Sequence, residues 1–135
     1  MSLSVPHDES HTQQEKAEQS IRTRLALFGK WAVLPPLEER VVILVDDGLA
    51  SGFTMEAAAK SIQKRGPKGM IIAVPTSSMT AFRRLESLVD QVVCPELSRL
   101  RIFAVANAYE NWYDLNDEEV LRILQSVSAR GVENQ

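Results

Sequence analysis

Two adjacent aspartates, Asp46 and Asp47, follow five apolar residues in the stretch VVILVDDGLASGFTM, residues 41–55. Successive side chains of a strand point to opposite faces, so two neighbouring carboxylates inside a sheet would both have to be desolvated. At the C-terminal mouth of a strand the chain turns, and both can reach one ligand. Carboxylates accept hydrogen bonds from hydroxyls, so a pair suits the neighbouring hydroxyls of a ribose, a divalent cation, or both. The small residues of GLASGFT let backbone N–H groups approach an anion, and the helix that starts behind them adds its positive end. Ser51 and Thr54 bring hydroxyls, and Thr54 also suits a plain helix N-cap. A sugar-hydroxyl site beside a phosphate site is what a ribose 5-phosphate requires. The competing reading of the same residues is a vestigial acid pair on a fold that no longer binds.

Other phosphate and aspartate motifs fit less well. A P-loop needs a Lys beside its Ser or Thr, and the G-x-G-x-x-G dinucleotide fingerprint is absent. A phospho-acceptor domain needs a further Asp at the end of a later strand, where MIIAVPT has Pro75 and Thr76. Those two residues end a strand next to the motif and are expected to line the same crevice. His7 and His11 stand four apart, but the polar segment around them and Pro6 argue against the helix that a metal pair would need. The single cysteine, Cys94, lies in the apolar run QVVC, where a buried, inert thiol is expected.

The elements that must position the motif are legible from period and punctuation. Residues 1–20 carry few large apolar side chains and read as a disordered or frayed N-terminal segment. From Ile21, the spacing of Ile21, Leu25, Phe28 and Trp31 predicts a helix that ends before Pro35-Pro36. Lys30, Arg22 and Arg24 read as its solvated face. Val41–Val45 is apolar on both faces, as in a central strand of a parallel sheet. The segment from Thr54 to Gly66 predicts a helix with Met55, Ala58, Ala59 and Ile62 inward and Gly66 as its C-cap. GMIIAVPT reads as a second strand. Ser78 to Leu88 reads as a helix with Met79, Phe82 and Leu85 inward. DQVVCP is expected to be a short third strand and RIFAVANAY a fourth. A last helix has Asn116 as N-cap, Glu119 at the capping-box position, an apolar face of Val120, Ile123, Leu124 and Val127, and Gly131 as its stop. The pattern predicts one α/β domain over 21–131, built on an open, mostly parallel sheet with flanking helices, and a tail at 132–135.

Composition bounds the partners. With 135 residues the chain is long enough for one core without disulfide or metal. A net charge of −3 provides no basic field for nucleic acid, and no apolar run approaches the roughly 20 residues of a membrane span. The polar N-terminus does not read as a signal peptide. A cytoplasmic protein is expected.

Residues 41–55 resemble the phosphoribosyl-pyrophosphate (PRPP) binding motif of type I phosphoribosyltransferases: an apolar run, two acids, a small-residue loop and a Thr. The likeness continues in AVP, QVVCPE and FAVANAYENWYDLNDEEV, which look like a phosphoribosyltransferase group of unsettled substrate, and covers about residues 21–127. It implies that Asp46 and Asp47 hold the ribose hydroxyls and that Ala50, Ser51, Gly52, Phe53 and Thr54 wrap the 5-phosphate. Magnesium would ride on PRPP itself, with Asp46 and Asp47 in reach. The family reaction replaces pyrophosphate at the anomeric carbon with a nitrogenous base, through an oxocarbenium-like state. Ser51 stands where Thr is usual, which preserves the hydroxyl. Ala50 stands where 6-oxopurine salvage members carry an Asp, which argues against hypoxanthine or guanine. Tyr109, Trp112 and Tyr113 in AYENWY could stack on a base, although packing is the commoner role.

About 40 residues precede the motif, too few for the α/β unit that grips pyrophosphate in full family members. The expectation is therefore a truncated type I phosphoribosyltransferase-like domain. Three functions follow from it: phosphoribosyl transfer with the pyrophosphate site supplied by another chain, a non-catalytic PRPP- or nucleotide-binding regulatory module, or a dimerising remnant. Uncovered apolar sheet would favour a homodimer.

Overall fold

The computed structural model describes residues 7–132, with side chains over 12–128. The side chains of His7 and His11 and residues 133–135 of the expected tail lie outside the described residues. The chain divides into two units, Pro35–Asp114 and a second made of Met1–Leu34 with Leu115–Gln135.

The first unit is a parallel sheet with two helices. Strands β1 (Val41–Val45), β2 (Gly69–Ala73) and β4 (Gln91–Val93) pair in the order β1-β2-β4, all parallel. Helix α2 (Phe53–Gln63) links β1 to β2, and α3 (Met79–Leu85) lies between β2 and β4. Right-handed crossovers that step the same way across a sheet put their helices on the same face. The side chains agree: Val42, Leu44, Met70, Ile72 and Val92 pack with Met55, Ala59 and Ile62 of α2 and Ala81 and Leu85 of α3. The other face is open. Val41, Ile43 and Val45 are 54%, 57% and 72% exposed, and among the described residues β1 pairs only with β2. The central position expected for β1 is corrected to an edge.

Two prolines explain the strands that the sequence pattern does not separate. β3 (Thr76–Ser78) pairs in parallel with β5 (Glu96–Ser98), one step beyond β2 and β4. Pro75 and Pro95 stand between the pairs and have no N–H to give, so the ladder breaks there. Val74 N–H to the Val93 carbonyl (3.0 Å) and Glu96 N–H to the Pro75 carbonyl (3.2 Å) carry it across the break. The fourth strand expected over RIFAVANAY is not formed: Val105–Ala108 is a single 3-10 turn, and the strand is β5 instead. α2 starts one residue earlier than expected, and Gly66 follows it at φ +62.

In the second unit α1 runs from His7 to Phe28, so 7–20 is helical where a frayed lead-in was expected. None of residues 12–20 is buried. Local contacts sustain these turns: Gln14 to Glu18 (3.4 Å), Arg22 to Glu18 (3.9 Å) and the Thr23 hydroxyl to the Gln19 carbonyl (2.9 Å). A 3-10 turn, Gly29–Ala32, follows before the proline pair. α4 (Asp117–Val132) starts with the expected capping box. Glu119 N–H donates to Asn116 Oδ1 at 3.0 Å, and Asn116 N–H donates to Glu119 Oε2 at 2.9 Å. The helix continues through Gly131, which does not close it. Trp31 Nε1 donates to Ser128 Oγ at 3.2 Å, joining the 3-10 turn to α4.

Candidate functional site

β1 ends at Val45, and Asp46 and Asp47 follow at its C-terminal mouth, both exposed. The Asp47 N–H donates to Asp46 Oδ1 at 2.9 Å, which fixes the Asp46 carboxylate beside the next peptide. The chain then returns to the sheet at Leu49. Leu49 N–H donates to the Thr76 carbonyl (3.1 Å), and Ser78 N–H to the Leu49 carbonyl (2.8 Å). A backbone this close to its neighbours needs glycine at 48. A Cβ there would lie 2.7 Å from Val105 Cγ1 and 2.9 Å from Thr76 Cγ2.

The loop that follows is pinned from below. Ser78 caps α3 by accepting from Ala81 N–H (3.0 Å), and its hydroxyl donates to the Ala50 carbonyl at 2.6 Å. Arg84 Nε donates to the Ser51 carbonyl at 3.2 Å. Gly52 then caps α2 in the left-handed region, φ 78, with the position of a Cβ only 3.1 Å from the Ala81 Cβ. The Ser51 hydroxyl accepts from Phe53 N–H at 3.4 Å.

This path encloses a hollow of about 170 Å³ lined by Asp46, Gly48, Leu49, Ala50, Ser51, Gly52, Thr54, Met55 and Val105. Pockets that enclose a drug-sized ligand run about 300–1,000 Å³, so this one suits an anionic group and part of a sugar. Its lining brings a carboxylate, Asp46, together with the first residues of α2, Thr54 and Met55, a combination that could serve a hydroxylated phosphate ester. A larger hollow of about 360 Å³ lies at the opposite ends of the strands, beside Lys68 and Asp90. Its carboxylate is already engaged, since Asp90 Oδ2 accepts from Met70 N–H at 2.7 Å.

Of the residues singled out from sequence, Asp46, Ala50, Ser51, Gly52 and Thr54 come together around one space. Asp47 stands next to it, with its carbonyl accepting from the Tyr109 hydroxyl at 2.6 Å. Partial burial pushes the Asp47 carboxyl above its usual range, and the Asp46 carboxylate adds to this; backbone hydrogen bonds at Asp47 and Gly48 work the other way. Phe53 turns outward, 60% exposed, under the Arg84 guanidinium. Pro75 is exposed, while Thr76 is 1% exposed and lies against Gly48 rather than on the hollow. Its Oγ1 finds no hydrogen-bond partner among the described residues.

The aromatic segment has a positioning contact that sequence reasoning missed. Tyr109 and Trp112 meet edge to face, 5.2 Å between centroids, and Tyr109 reaches back to Asp47. Val105 and Arg84 were also missed. Both are brought in from distant segments, and no local spacing marks them. Cys94 is half-buried where a buried thiol was expected, and it donates to the Glu96 carbonyl at 3.1 Å; partial burial pushes its thiol up.

Comparison with known proteins bears on this geometry. The chain is 35% identical over 89 residues to a protein provisionally named phosphoribosyl transferase in two strains of Mycobacterium tuberculosis. The match covers 66% of this chain and 20% of those proteins, so the chain spans about a fifth of their length. The crystal structure of TT1426 from Thermus thermophilus superposes with a TM-score of 0.72 at 32% identity, covering 87% of this chain and 56% of that one. It shares the open parallel sheet with flanking helices. The family model described as phosphoribosyl transferase domain matches residues 4–109, which contain the whole of the sheet and its hollow. The chain belongs to the phosphoribosyl transferase domain family.

Proposed function

We propose that the hollow behind β1 binds the 5-phosphate of PRPP or of a ribose 5-phosphate group, with Asp46 and Asp47 on the ribose hydroxyls. The observation that carries the reading is the shared lining. One acid of the pair, the small-residue loop and the first turn of α2 surround a single space at the mouth of a parallel strand. Ser51, Gly52 and Thr54 supply hydroxyl and N–H donors to the phosphate, and the α2 N-terminus adds its partial positive charge. Burial first, and the neighbouring Asp46 carboxylate second, raise the Asp47 carboxyl, and two adjacent acids suit a site that receives a cation. These two residues would hold magnesium carried by PRPP, and the ion would supply neutralisation of the phosphate charge. With a nitrogenous base as acceptor, the same site would transfer the phosphoribosyl group and release pyrophosphate. A non-catalytic module that holds the same ligand is the second reading. It is favoured by the size of the hollow, about 170 Å³, which suits a phosphate and part of a sugar rather than two reactants together.

Calorimetric titration with PRPP and with ribose 5-phosphate, with and without magnesium, tests the binding. Asp47→Asn is expected to weaken ribose 5-phosphate by about 10-fold, the worth of one charge-assisted hydrogen bond. No heat from either ligand with the wild-type chain would overturn the proposal. Pyrophosphate release in the presence of a panel of bases separates transfer from binding alone.

The reading extends to a homodimer and a cytoplasmic setting. The open sheet face, with Val41, Ile43, Val45 and Val93 exposed, is the kind of surface that a second copy covers. Light scattering at micromolar concentration checks it, a monomer being the adverse result. No helix among the described residues is long and apolar enough to cross a membrane.

A further inference from the structure

Arg84 does not line the hollow, yet it touches the loop that forms it once and the first turn of α2 twice. Its Nε donates to the Ser51 carbonyl at 3.2 Å, its Nη1 meets Glu56 Oε2 at 3.3 Å, and its guanidinium carbon lies 4.0 Å from the centre of the Phe53 ring. A planar guanidinium can serve a carbonyl, a carboxylate and a ring face at once, which an ammonium cannot.

The carbonyl contact has a consequence for the next N–H. In a trans peptide the C=O and N–H point in opposite directions. Drawing the Ser51 carbonyl to Arg84 therefore turns the Gly52 N–H away from Arg84. The preceding peptide is treated alike: Ser78 Oγ holds the Ala50 carbonyl, which turns the Ser51 N–H away from Ser78. Among the described residues neither N–H donates to an acceptor. Both belong to residues that line the hollow. The Glu56 contact acts on charge. Glu56 sits in the first turn of α2, and Lys60 (2.6 Å) and Arg84 together offset a carboxylate that would otherwise repel an anion there.

We propose that Arg84 is a positioning residue for the phosphate loop, holding the Ser51 carbonyl so that the Gly52 N–H is aimed into the hollow. The inference rests on the reading of that hollow as a 5-phosphate site. It assigns the loop's shape to α3, an element that never meets the ligand.

The test uses the full chain with Arg84→Ala, Arg84→Gln and Arg84→Lys. Each is titrated with ribose 5-phosphate, and the Gly52 amide resonance is recorded without ligand. Arg84→Ala is expected to move that resonance and to weaken ribose 5-phosphate by about 10-fold, the scale of one hydrogen bond to a charged group. Arg84→Lys and Arg84→Gln, which keep an N–H donor, should each recover part of the affinity. Wild-type affinity in Arg84→Ala, or an unmoved Gly52 amide, would overturn the proposal. Recovery in Arg84→Lys but none in Arg84→Gln would also overturn it, because charge rather than the carbonyl bond would then be at work. If the wild-type chain does not bind ribose 5-phosphate, the 5-phosphate reading fails, and the Gly52 amide of the unliganded variants still decides whether Arg84 sets the loop. Should Arg84→Ala not fold, the two conservative variants supply both readouts.

Discussion

β1 and β2 end side by side, with Val45 opposite Ala73, yet the chain behaves in opposite ways beyond them. After β1 come Asp46 and Asp47, exposed, and a loop that bends round an open hollow. After β2 the chain continues as Val74, then Thr76, Ser77 and Ser78, all buried, paired on one side with Leu49 and on the other with β5. The two loops are not independent. The closed one supplies the Thr76 carbonyl, the Ser78 N–H and the Ser78 hydroxyl that hold Leu49 and Ala50 in place. The first loop can stay open and polar here because its neighbour is buried and its backbone is engaged on both sides. The open half of a site is often shaped by the half that no ligand touches.

The sharpest way to break this arrangement is at Gly48, where a Cβ would run into a side chain of the closed loop. Gly48→Ala drives a methyl into Val105 and Thr76, at 2.7 and 2.9 Å, and Thr76, fully buried, has no room to move in a close-packed interior. Overpacking of this kind costs about 1–3 kcal/mol, so the variant should unfold at lower urea, and its residual folded fraction should lose ribose 5-phosphate binding. Equal urea midpoints would show that the loops are not in register as described.

A smaller effect of opposite sign is expected at Thr76. Its buried Oγ1 has no partner among the described residues, and an unsatisfied hydroxyl costs about 1–3 kcal/mol. Thr76→Val keeps the shape and removes the unpaired group, so stability should rise by about 1 kcal/mol, with ribose 5-phosphate affinity unchanged. A loss of affinity would return Thr76 to the crevice, where the sequence alone places it.

The smallest effect is in pH. Asp47 has a raised carboxyl pKa, so its protonated form is favoured in the folded chain. Its contribution to stability is present below its unfolded pKa and is lost as pH rises through the higher folded value. On the proposed reading ribose binding uses the carboxylate, so affinity should fall as pH drops through that same folded value. Stability and affinity thus respond to Asp47 with opposite signs. Titrations of ribose 5-phosphate across acid pH should show affinity falling above the range of an ordinary aspartate in the wild type, and a flatter profile in Asp47→Asn.

What could be read without coordinates was local. The strand Val41–Val45, the acids at its end, the helix behind GLASGFT and the Asn116–Glu119 capping box are set by periods and contacts within a few residues, and each is present. The helix over 7–20 escapes such a reading for a related reason. It lacks an apolar period, but helix propensity and i, i+4 pairs need none. The strands β3 and β5 were missed because each is three residues long and follows a proline, so neither has a period of its own.

By itself, then, the sequence determined a parallel α/β sheet and a motif of two acids, a small-residue loop and a helix start at one strand's mouth. These depend on residues that are neighbours in the chain. Only the tertiary structure decided that Thr76 is buried, that β1 lies at an edge with its outer face open, and that Ser78, Arg84, Val105 and Tyr109 shape the loop. Each of those contacts joins residues about 30 to 60 positions apart. Their partners are selected by packing, which no short spacing encodes.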